Sequence, residues 1–265
     1  MTRYACGVEY DGHGFLGFQT QVQEPTIQGC LEKSIAKVAN HTVRLVCSGR
    51  TDTGVSATAQ VIHFDSDSDR TGYQWIMGVN TNLPKGISLL WIKQVSDDFH
   101  ARFSAIQRSY QYTILNRWIR PAINRHSVTW EMLLLDEKRM NKAAQYLLGE
   151  HDFNAFRSSA CQSKTPIKTI NSISVIREGN KVIMNVAASG FLHHMIRNII
   201  GTLIPIGRGE KSIETMQIIL ESKDRTKAGI TAAPNGLSFN TVKYPKKFGL
   251  PEGQIPDHLD NCYEN

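Results

Sequence analysis

The sequence predicts an α+β fold with two similar halves, and three observations support it. Strand-like segments occur in pairs joined by short turns, for example on either side of Gly179-Asn180. Amphipathic helical segments lie between these pairs, which favours helices on one side of mainly antiparallel sheets over a parallel doubly wound sheet. At 265 residues with 41% hydrophobic content, the chain is long enough for one large domain or two closely packed ones. We therefore expect two α+β subdomains, 1–105 and 106–265.

The individual elements follow from hydrophobic periodicity along the chain. Strands are predicted at 4–10, 43–48, 59–64, 87–95, 102–115, 167–177, 182–188 and 237–242. Helices are predicted at 27–38, 73–80, 136–148, 191–204 and 212–222. Thr26 is the expected N-cap of the first helix, and Gly149 is expected to terminate the third. The proline-containing tail after Tyr244 is expected to form an extended surface strap.

Charge and composition narrow the class of protein. The formal charge of +6 and the pI near 9.1 favour a polyanionic partner. Segment 151–208 has seven basic and two acidic residues, net +5, and segment 97–126 has five and two, net +3. Such clustering is expected of a groove that contacts phosphates, although solvated basic surface explains it equally well.

The chain shows no sign of membrane insertion, secretion or metal binding. No apolar run approaches the roughly 20 residues that cross a bilayer, and the first residues lead directly into a strand. We therefore expect a cytoplasmic protein. The five cysteines are odd in number and scattered, without the short paired spacings of zinc or redox sites, so they are interpreted as core residues.

The first candidate chemical feature is the polar loop 49–55, between two apolar strands. Its sequence is Gly-Arg-Thr-Asp-Thr-Gly-Val, so Arg50 and Asp52 place a cation and a carboxylate close together at the edge of a sheet. The same residue types are also typical of an ordinary tight turn.

The second candidate feature is Arg197, on the predicted helix that begins at Phe191. Most of that helix is apolar, and a guanidinium in apolar surroundings requires a carboxylate partner, because an unpaired buried charge is strongly destabilising. His193 and His194 are not expected to bind metal, since adjacent helical residues point about 100° apart and no third ligand is suitably spaced.

The third candidate feature is the segment from Phe99 to Tyr112, in which aromatic residues alternate with arginines. This pattern suits stacking on bases and contact with phosphates. A strand that buries its tyrosines against a helix would show a similar composition.

Together these segments resemble the tRNA pseudouridine synthase A family over nearly the whole chain. The matching segments, in order, are Gly49–Asp52 with Gly54-Val55, Gln60–Phe64, Asn80–Pro84, Asp98–Ala105, Tyr110 with Tyr112, Cys161–Pro166 and Phe191–Asn198. An ordered set of this kind is specific, although one motif alone would be weak. The resemblance implies the pseudouridine synthase fold with an active-site cleft between its two subdomains. It also implies a cofactor-independent isomerase, acting as a homodimer on uridines 38 to 40 in the tRNA anticodon arm.

The resemblance also implies roles for individual residues. Asp52 corresponds to the nucleophile, Arg50 to the residue that fills the space left by the flipped base, and Arg197 to a compensating positive charge. Tyr110 corresponds to the tyrosine that stacks on the uracil, and Leu237 to an apolar wall. Residues implied in tRNA binding are Arg70, Phe99, His100, Ala101, Arg102, Phe103, Arg117, Ala160, Cys161, Gln162, Ser163 and Lys164. The chain departs from the family pattern at Thr53, Ser56, Ser109 and Gln111, which bears on RNA affinity rather than on the chemistry.

The reaction explains why a carboxylate is needed. The N1–C1′ bond of uridine must break, the uracil must rotate, and C5 must bond to C1′. Asp52 can open this sequence by attacking either C6 of the base or C1′ of the ribose, once the base is extruded from its stack. Two other hypotheses are a noncatalytic tRNA-binding module, which gives no reason for a carboxylate loop, and a carboxylate-dependent hydrolase. The hydrolase normally requires a second acid, and no convincing one is apparent in the sequence, although Glu9 and Asp11 can be tested.

Overall fold

The computed structural model describes residues 1–22 and 25–251, which form two compact units. Unit 1 comprises Met1–Ile106 together with the described residues 238–251, and unit 2 comprises Gln107–Leu237. In chain order the strands are β1 Thr2–Tyr10, β2 Leu45–Cys47, β3 Ser56–Ser66, β4 Ile87–Val95, β5 Gln107–Asn116, β6 Thr129–Glu131, β7 Gly149–Asp152, β8 Ile167–Glu178, β9 Lys181–Ala188 and β10 Leu237–Lys243. The α-helices are α1 Ile27–Ala39, α2 Gly72–Asn82, α3 Glu137–Ala144, α4 Met195–Gly207 and α5 Thr215–Ser222.

The sheet of unit 1 is centred on β1, which pairs antiparallel with β3 on one side and β4 on the other. The far edge of β3 is shared by two strands. β2 pairs with its second half in antiparallel orientation, and β10 pairs with its start in parallel orientation at Ser238↔Ser56 and Phe239↔Ala57. The sequence-based division assigned the chain after residue 237 to the second subdomain. The pairing of β10 with β3 corrects this for the described residues 238–251.

The two helices of unit 1 lie on one face of its sheet. Thr26 caps α1 as predicted, since its hydroxyl accepts a hydrogen bond from Gly29 N–H. Trp75 of α2 is fully buried, and its ring packs at 5.6 Å from Tyr4 of β1 and 5.3 Å from Phe64 of β3. Residues adjacent to Phe64 point to the opposite face, because successive side chains of a strand alternate. His63 therefore faces away from the helices.

That opposite face is covered by residues from two distant parts of the chain. The ring of Phe99 packs at 5.9 Å from His63 and at 5.1 Å from both Tyr244 and Phe248. Residues 246–248 form a short 3-10 helix, and Tyr244 and Phe248 are both buried. The prediction of an extended surface strap after Tyr244 is thus wrong as far as residue 251. The rest of that prediction, residues 252–265, lies outside the described residues.

The sheet of unit 2 is built on the antiparallel order β5–β9–β8–β7, with β6 parallel to the end of β5. β8 and β9 form the hairpin predicted around Gly179-Asn180. α3, capped by Asp136 through Arg139 N–H, packs against β8 and α4. α4 is the central helix of this unit and has nine buried residues, so it is apolar nearly all round.

Among the element boundaries that differ from the predictions, those of α4 and β5 have clear local causes. α4 begins at Met195 rather than Phe191, because His194 adopts the left-handed conformation and His193 hydrogen-bonds residues 158 and 161. β5 begins at Gln107 rather than Arg102, because residues 99–104 form turns, with Ser104 N–H donating to the carbonyl of His100. Within residues 1–22 and 25–251, no helix combines the length and apolar character needed to cross a membrane.

Candidate active site and RNA-contact segments

Asp52 lies in the loop between β2 and β3 of unit 1, with Arg50 two residues before it. The Arg50 side chain is exposed and Asp52 is half-buried. A tight turn follows Asp52, since Val55 N–H donates to its carbonyl at 3.1 Å. Thr51, between the two charged residues, is buried and accepts a hydrogen bond at its carbonyl from Phe18 N–H at 3.0 Å. The loop is therefore fixed to the body of unit 1, unlike an ordinary exposed turn.

A glycine-containing segment after β1 packs against the Asp52 loop. Gly17 has φ +88°, a left-handed conformation that side-chain-bearing residues rarely adopt. A Cβ at Gly17 would lie 3.0 Å from the carbonyl oxygen of Thr51 and 3.2 Å from the carbonyl carbon of Asp52. Glycine at this position thus lets the two segments approach backbone to backbone.

Tyr10, at the end of β1, is a contact of this loop that sequence reasoning missed. Its hydroxyl lies 2.8 Å from the Thr51 hydroxyl in a buried environment. Burial raises the pKa of Tyr10 well above its ordinary value, so the hydroxyl stays protonated and able to donate. The only sequence signal was its place immediately before the glycine-containing segment.

Cys47 and Cys6 of unit 1 are buried and behave as core residues, as the sequence indicated. Burial raises the pKa of Cys47 to about 12, although the nearby Arg50 lowers it, and burial also raises the pKa of Cys6. Neither thiol is therefore ionised near neutral pH, and a thiolate nucleophile beside Asp52 is not available from Cys47.

The predicted tRNA-binding segment 99–103 divides into buried and exposed residues. Phe99 and Ala101 are fully buried, and Ala101 bonds His63 through its N–H and Tyr244 through its carbonyl. Direct tRNA contact through these two side chains is therefore not proposed. Arg102 and Phe103 are exposed, Phe103 by 75%, and the guanidinium of Arg102 lies over its ring. The aromatic and cationic surface expected here is formed by these two residues.

Two histidines hold this turn in place. His100 Nδ1 accepts from the N–H groups of Arg102 and Phe103, and His63 Nδ1 accepts from Ala101 N–H at 3.1 Å. Burial, with added repulsion from His100 and Arg3, lowers the pKa of His63 to about 4. Burial likewise lowers the pKa of His100. Both Nδ1 atoms must be unprotonated to accept, so the turn depends on neutral imidazoles.

In unit 2, Tyr110 lies on β5 opposite Val186 of β9, and its ring packs edge-to-face on Phe191 at 5.0 Å. Tyr112, on the same face of the strand, is fully buried, and its hydroxyl donates to the carbonyl of Ala233 at 2.7 Å. Burial raises the pKa of Tyr112 to about 12. Of the two tyrosines, Tyr112 is committed to the core of unit 2. Leu237 is buried, and its N–H donates to the carbonyl of Pro234.

Arg197 lies in the first turn of α4 and is half-buried. Its Nε donates to the carbonyl of Ala232 at 2.8 Å, and Ala232 N–H donates to the Arg197 carbonyl at 3.1 Å. Segment 229–232 is thus attached to the start of α4. The guanidinium of Arg197 is therefore oriented by the carbonyl of Ala232, whose own backbone N–H is bonded to Arg197.

The predicted RNA-binding segment 160–164 is placed beside Phe191–Asn198. Cys161 Sγ accepts from His193 N–H at 3.4 Å, and Ser158 N–H donates to the His193 carbonyl. Ala160, Gln162 and Lys164 are exposed. Arg157, which sequence reasoning did not single out, holds the segment by donating to the carbonyls of Cys161 and Ser163 at 2.9 and 2.8 Å.

The remaining predicted RNA contacts are single exposed arginines. Arg70 precedes α2 in unit 1, with Nε 3.3 Å from the carbonyl of Val38. Arg117 follows β5 in unit 2, with Nε 2.8 Å from the carbonyl of Ile119. Both guanidiniums lie at the surface, as a phosphate contact requires.

Comparison with known proteins identifies the class to which this fold and these residues belong. The family model described as tRNA pseudouridine synthase matches residues 7–104 and 143–245. The chain belongs to this family. Pseudouridine synthases are isomerases, and the chain is therefore an isomerase.

The sequence of this chain aligns with those of curated relatives over almost their full length. The chain is 49% identical over 251 residues to tRNA pseudouridine synthase A of Coxiella burnetii (strain Dugway 5J108-111), which covers 95% of this chain and 96% of that relative. It is 49% identical over 253 residues to tRNA pseudouridine synthase A of Photobacterium profundum, covering 96% and 97%. Among solved structures, a Cbf5–Nop10–Gar1 complex matches with a TM-score of 0.39 and 14% identity, covering 89% of this chain and 48% of that chain.

Proposed function

We propose that this enzyme converts uridine to pseudouridine at positions 38, 39 and 40 of the tRNA anticodon stem-loop, with Asp52 as the nucleophile. The observation that carries the proposal is the anchored loop 49–55, which presents a carboxylate and an exposed guanidinium on a fixed backbone. The curated relatives, named tRNA pseudouridine synthase A, support the choice of tRNA as substrate.

The chemistry is an isomerisation that needs no external oxidant or reductant. The Asp52 carboxylate attacks C6 of the uracil or C1′ of the ribose, and the N1–C1′ bond breaks. The uracil rotates and a C5–C1′ bond forms. In the C1′ route Asp52 leaves C1′ as this bond forms, and in the C6 route Asp52 leaves C6 when the C5 proton is removed. In both routes C5 loses its proton and N1 gains one. Every atom of uridine is retained except that exchanged proton.

The other residues of the proposed site each have a distinct task. Arg50, exposed two residues before Asp52, occupies the space left by the extruded base. Tyr110 stacks on the uracil and assists removal of the C5 proton, while Leu237 supplies an apolar wall. Arg197, oriented by the carbonyl of Ala232, compensates the charge of the reacting carboxylate.

Binding of tRNA is assigned to exposed and half-buried residues in the two basic segments. In unit 1 these are His100, Arg102 and Phe103, with Arg70 before α2. In unit 2 they are Arg117 and the segment 160–164. Arginine and lysine neutralise phosphates, and exposed Phe103 offers a stacking surface.

The decisive experiment measures tritium release from tRNA transcripts labelled at uridine C5, comparing the wild type with Asp52→Asn. Release that maps to positions 38 to 40 and disappears in the variant is the expected result. Asp52→Asn should retain tRNA binding, since the change removes one charge without altering size. A folded wild type that binds tRNA without releasing tritium would instead indicate a binding module.

We also propose that the enzyme acts in the cytoplasm as a homodimer. Unit 2 exposes several large apolar side chains on two segments, 118–123 and 130–134. The segments are neighbours, because Trp130 Nε1 donates to the carbonyl of Arg117. The exposed apolar side chains are Trp118, Ile119, Ile123, Trp130, Leu133 and Leu134. Clusters of exposed large apolar side chains are typical of interaction surfaces, and a second copy of the chain would cover these. Light scattering should give a dimer that Leu134→Glu weakens and that Ile218→Glu, at an exposed position on α5, leaves intact.

A further inference from the structure

Gln60 is a buried amide in the middle of β3, close to the Asp52 loop. Its side chain is fully buried, and its backbone pairs with Val8 of β1. An amide has two donors and an oxygen acceptor, and leaving them unpaired away from water costs about 1–3 kcal/mol. The hydrogen-bond partners of the Gln60 amide therefore indicate its role in the structure.

The amide of Gln60 bonds both backbone groups of Gly49, at the start of the loop. Nε2 donates to the Gly49 carbonyl at 2.6 Å, and Oε1 accepts from Gly49 N–H at 3.4 Å. Oε1 also accepts from the Ser48 hydroxyl at 2.6 Å. One side chain thus holds the peptide groups on both sides of Gly49, immediately before Arg50.

A second contact extends this network to the other side of Arg50. Gln60 Nε2 lies 3.4 Å from the hydroxyl oxygen of Tyr10, and that hydroxyl lies 2.8 Å from Thr51 Oγ1. With Gln60 as donor to Tyr10, the Tyr10 proton is available for Thr51. The three side chains are all buried.

The network holds the two residues that flank Arg50 and leaves the charged side chains outside it. Gly49 is held by Gln60. The hydroxyl of Thr51 bonds the hydroxyl of Tyr10, and the carbonyl of Thr51 accepts from Phe18 N–H. Rotation of the backbone at Arg50 and Asp52 is consequently restricted through their neighbours Gly49 and Thr51. A nucleophile needs this, because its carboxylate must be accurately placed for attack.

We propose that Gln60 is a positioning residue for the reaction, which together with Tyr10 sets the location of Asp52 and the direction of Arg50. The inference rests on the proposed role of Asp52. It predicts that loss of the Gln60 amide slows the chemical step, while tRNA binding, which uses residues elsewhere on the surface, is preserved.

The test compares Gln60→Met with Asn80→Leu, a matched control in the same unit. Asn80 bonds both backbone groups of Leu89, with Nδ2 2.9 Å from the carbonyl and Oδ1 2.8 Å from the N–H, but Leu89 lies on β4 rather than in the loop. Both variants should lower the melting temperature. Only Gln60→Met should reduce the single-turnover rate constant, by on the order of 100-fold as for a nucleophile misplaced by about 1 Å, with an unchanged dissociation constant for tRNA.

Tyr10→Phe tests the other end of the network with the loss of one oxygen atom, so it serves even if Gln60→Met folds poorly. A smaller fall in the single-turnover rate with unchanged tRNA affinity is expected. If Tyr10→Phe and every folded Gln60 variant retain the wild-type rate, or lose only stability as Asn80→Leu does, the positioning role is wrong. Tritium release by the wild type in the same series separates that outcome from failure of the proposed function.

Discussion

Arg50 and Asp52 share a short loop but differ in exposure, and this separates their roles. Arg50 is exposed, whereas Asp52 is half-buried. An exposed guanidinium next to the proposed nucleophile can serve as a phosphate contact or as the side chain that replaces the flipped base. The first role affects binding in the ground state, and the second affects only molecules in which the base is extruded.

We predict that Arg50→Ala retains tRNA affinity but loses on the order of 100-fold in single-turnover rate. The physical reason is that the flipped base returns to its stack when nothing occupies its place. Arg44→Ala is the control, because Arg44 is 80% exposed and forms a surface ion pair with Glu32. Filter binding and tritium release distinguish the outcomes, and an equal loss of affinity and rate would make Arg50 mainly a phosphate contact.

His63 gives the stability of unit 1 a predictable pH dependence. Its pKa is lowered to about 4 by burial, and the unfolded chain has the ordinary value near 6.5. The unfolded state therefore binds a proton first, so the stabilisation is complete above about pH 6.5 and is lost as pH falls toward about 4. Between about pH 7.5 and 5 the loss attributable to this group is about 2 kcal/mol.

The prediction is checked by urea unfolding of the wild type and His63→Asn across that range. Asparagine can place an oxygen near the position of Nδ1 and accept from Ala101 N–H without titrating. We expect His63→Asn to be less stable at neutral pH, because part of the ring volume is lost, but to show a pH dependence smaller by about 2 kcal/mol. An unchanged pH dependence would show that the pKa of His63 is the same in the folded and unfolded states.

These residue-level contacts mark where reading the sequence stops. Asp52, Arg50 and the segment 99–103 were singled out as candidate site residues from their residue types and order, and their roles stay predictions. The contacts of His63 with Ala101, 38 residues away, and of Tyr10 with Thr51, 41 residues away, were not. Such contacts depend on strand register and on which face of β3 each side chain occupies, and neither follows from local pattern alone.

At the scale of elements, hydrophobic periodicity and capping residues predicted the strands and helix starts that depend on local sequence. β4 has the predicted bounds, and Thr26 and Asp136 mark the starts of α1 and α3 as expected. The short strands β6 and β7 were missed because each exists only through pairing with a longer strand. The helix predicted from Phe191 starts four residues later, since His193 bonds residues 158 and 161 and His194 is left-handed.

The close contact between α4 and segment 229–232 gives a prediction at this scale. Gly201 lies within α4, where helix propensity alone would make alanine about 1 kcal/mol more stable than glycine. A Cβ at Gly201 would, however, stand only 1.7 Å from the carbonyl oxygen of Ile230. The clash outweighs the propensity, because backbone atoms of the neighbouring segment must move and overpacking costs about 1–3 kcal/mol.

We therefore expect Gly201→Ala to destabilise the protein by about 2 kcal/mol. We also expect it to lower activity, because Ala232 would move away from Arg197. Gly190→Ala is the matched control, since the nearest atom to its Cβ is Lys168 Cδ at 3.9 Å. Thermal unfolding of both variants provides the measurement. Equal melting temperatures would mean that segment 229–232 yields without cost and does not define the position of Arg197.

At the scale of the whole molecule, the sequence indicated two units. It did not indicate that the chain returns to unit 1 after residue 237. The first boundary was predicted within one residue, at 105/106 against 106/107. β10 resembles any short apolar strand, and nothing in its residues specifies parallel pairing with β3 rather than addition to the unit that precedes it. Its placement follows from long-range pairing at Ser56 and Ala57 and from the burial of Tyr244 and Phe248.

Net charge is the other property of the whole molecule, and it gives a prediction that separates total charge from local contact. Lys164→Gln and Lys142→Gln each reduce the formal charge of +6 by one, and both lysines are exposed. Lys164 lies in the proposed RNA-contact segment, whereas Lys142 lies on α3. Counterion release depends on how many phosphates are neutralised, so the logarithm of the binding constant should fall with log salt less steeply by about 0.7–0.9 for Lys164→Gln alone.

The measurement is filter binding of a tRNA transcript between about 50 and 200 mM KCl, with Asp52→Asn as the background so that no turnover occurs. Lys142→Gln should keep the slope of the Asp52→Asn parent, because removal of a distant surface charge releases no additional counterions. Equal slopes for Lys164→Gln and the parent would remove Lys164 from the interface. Equal reductions in both lysine variants would instead show that tRNA responds to the overall field of the protein, and the assignment of binding to segment 160–164 would then be wrong.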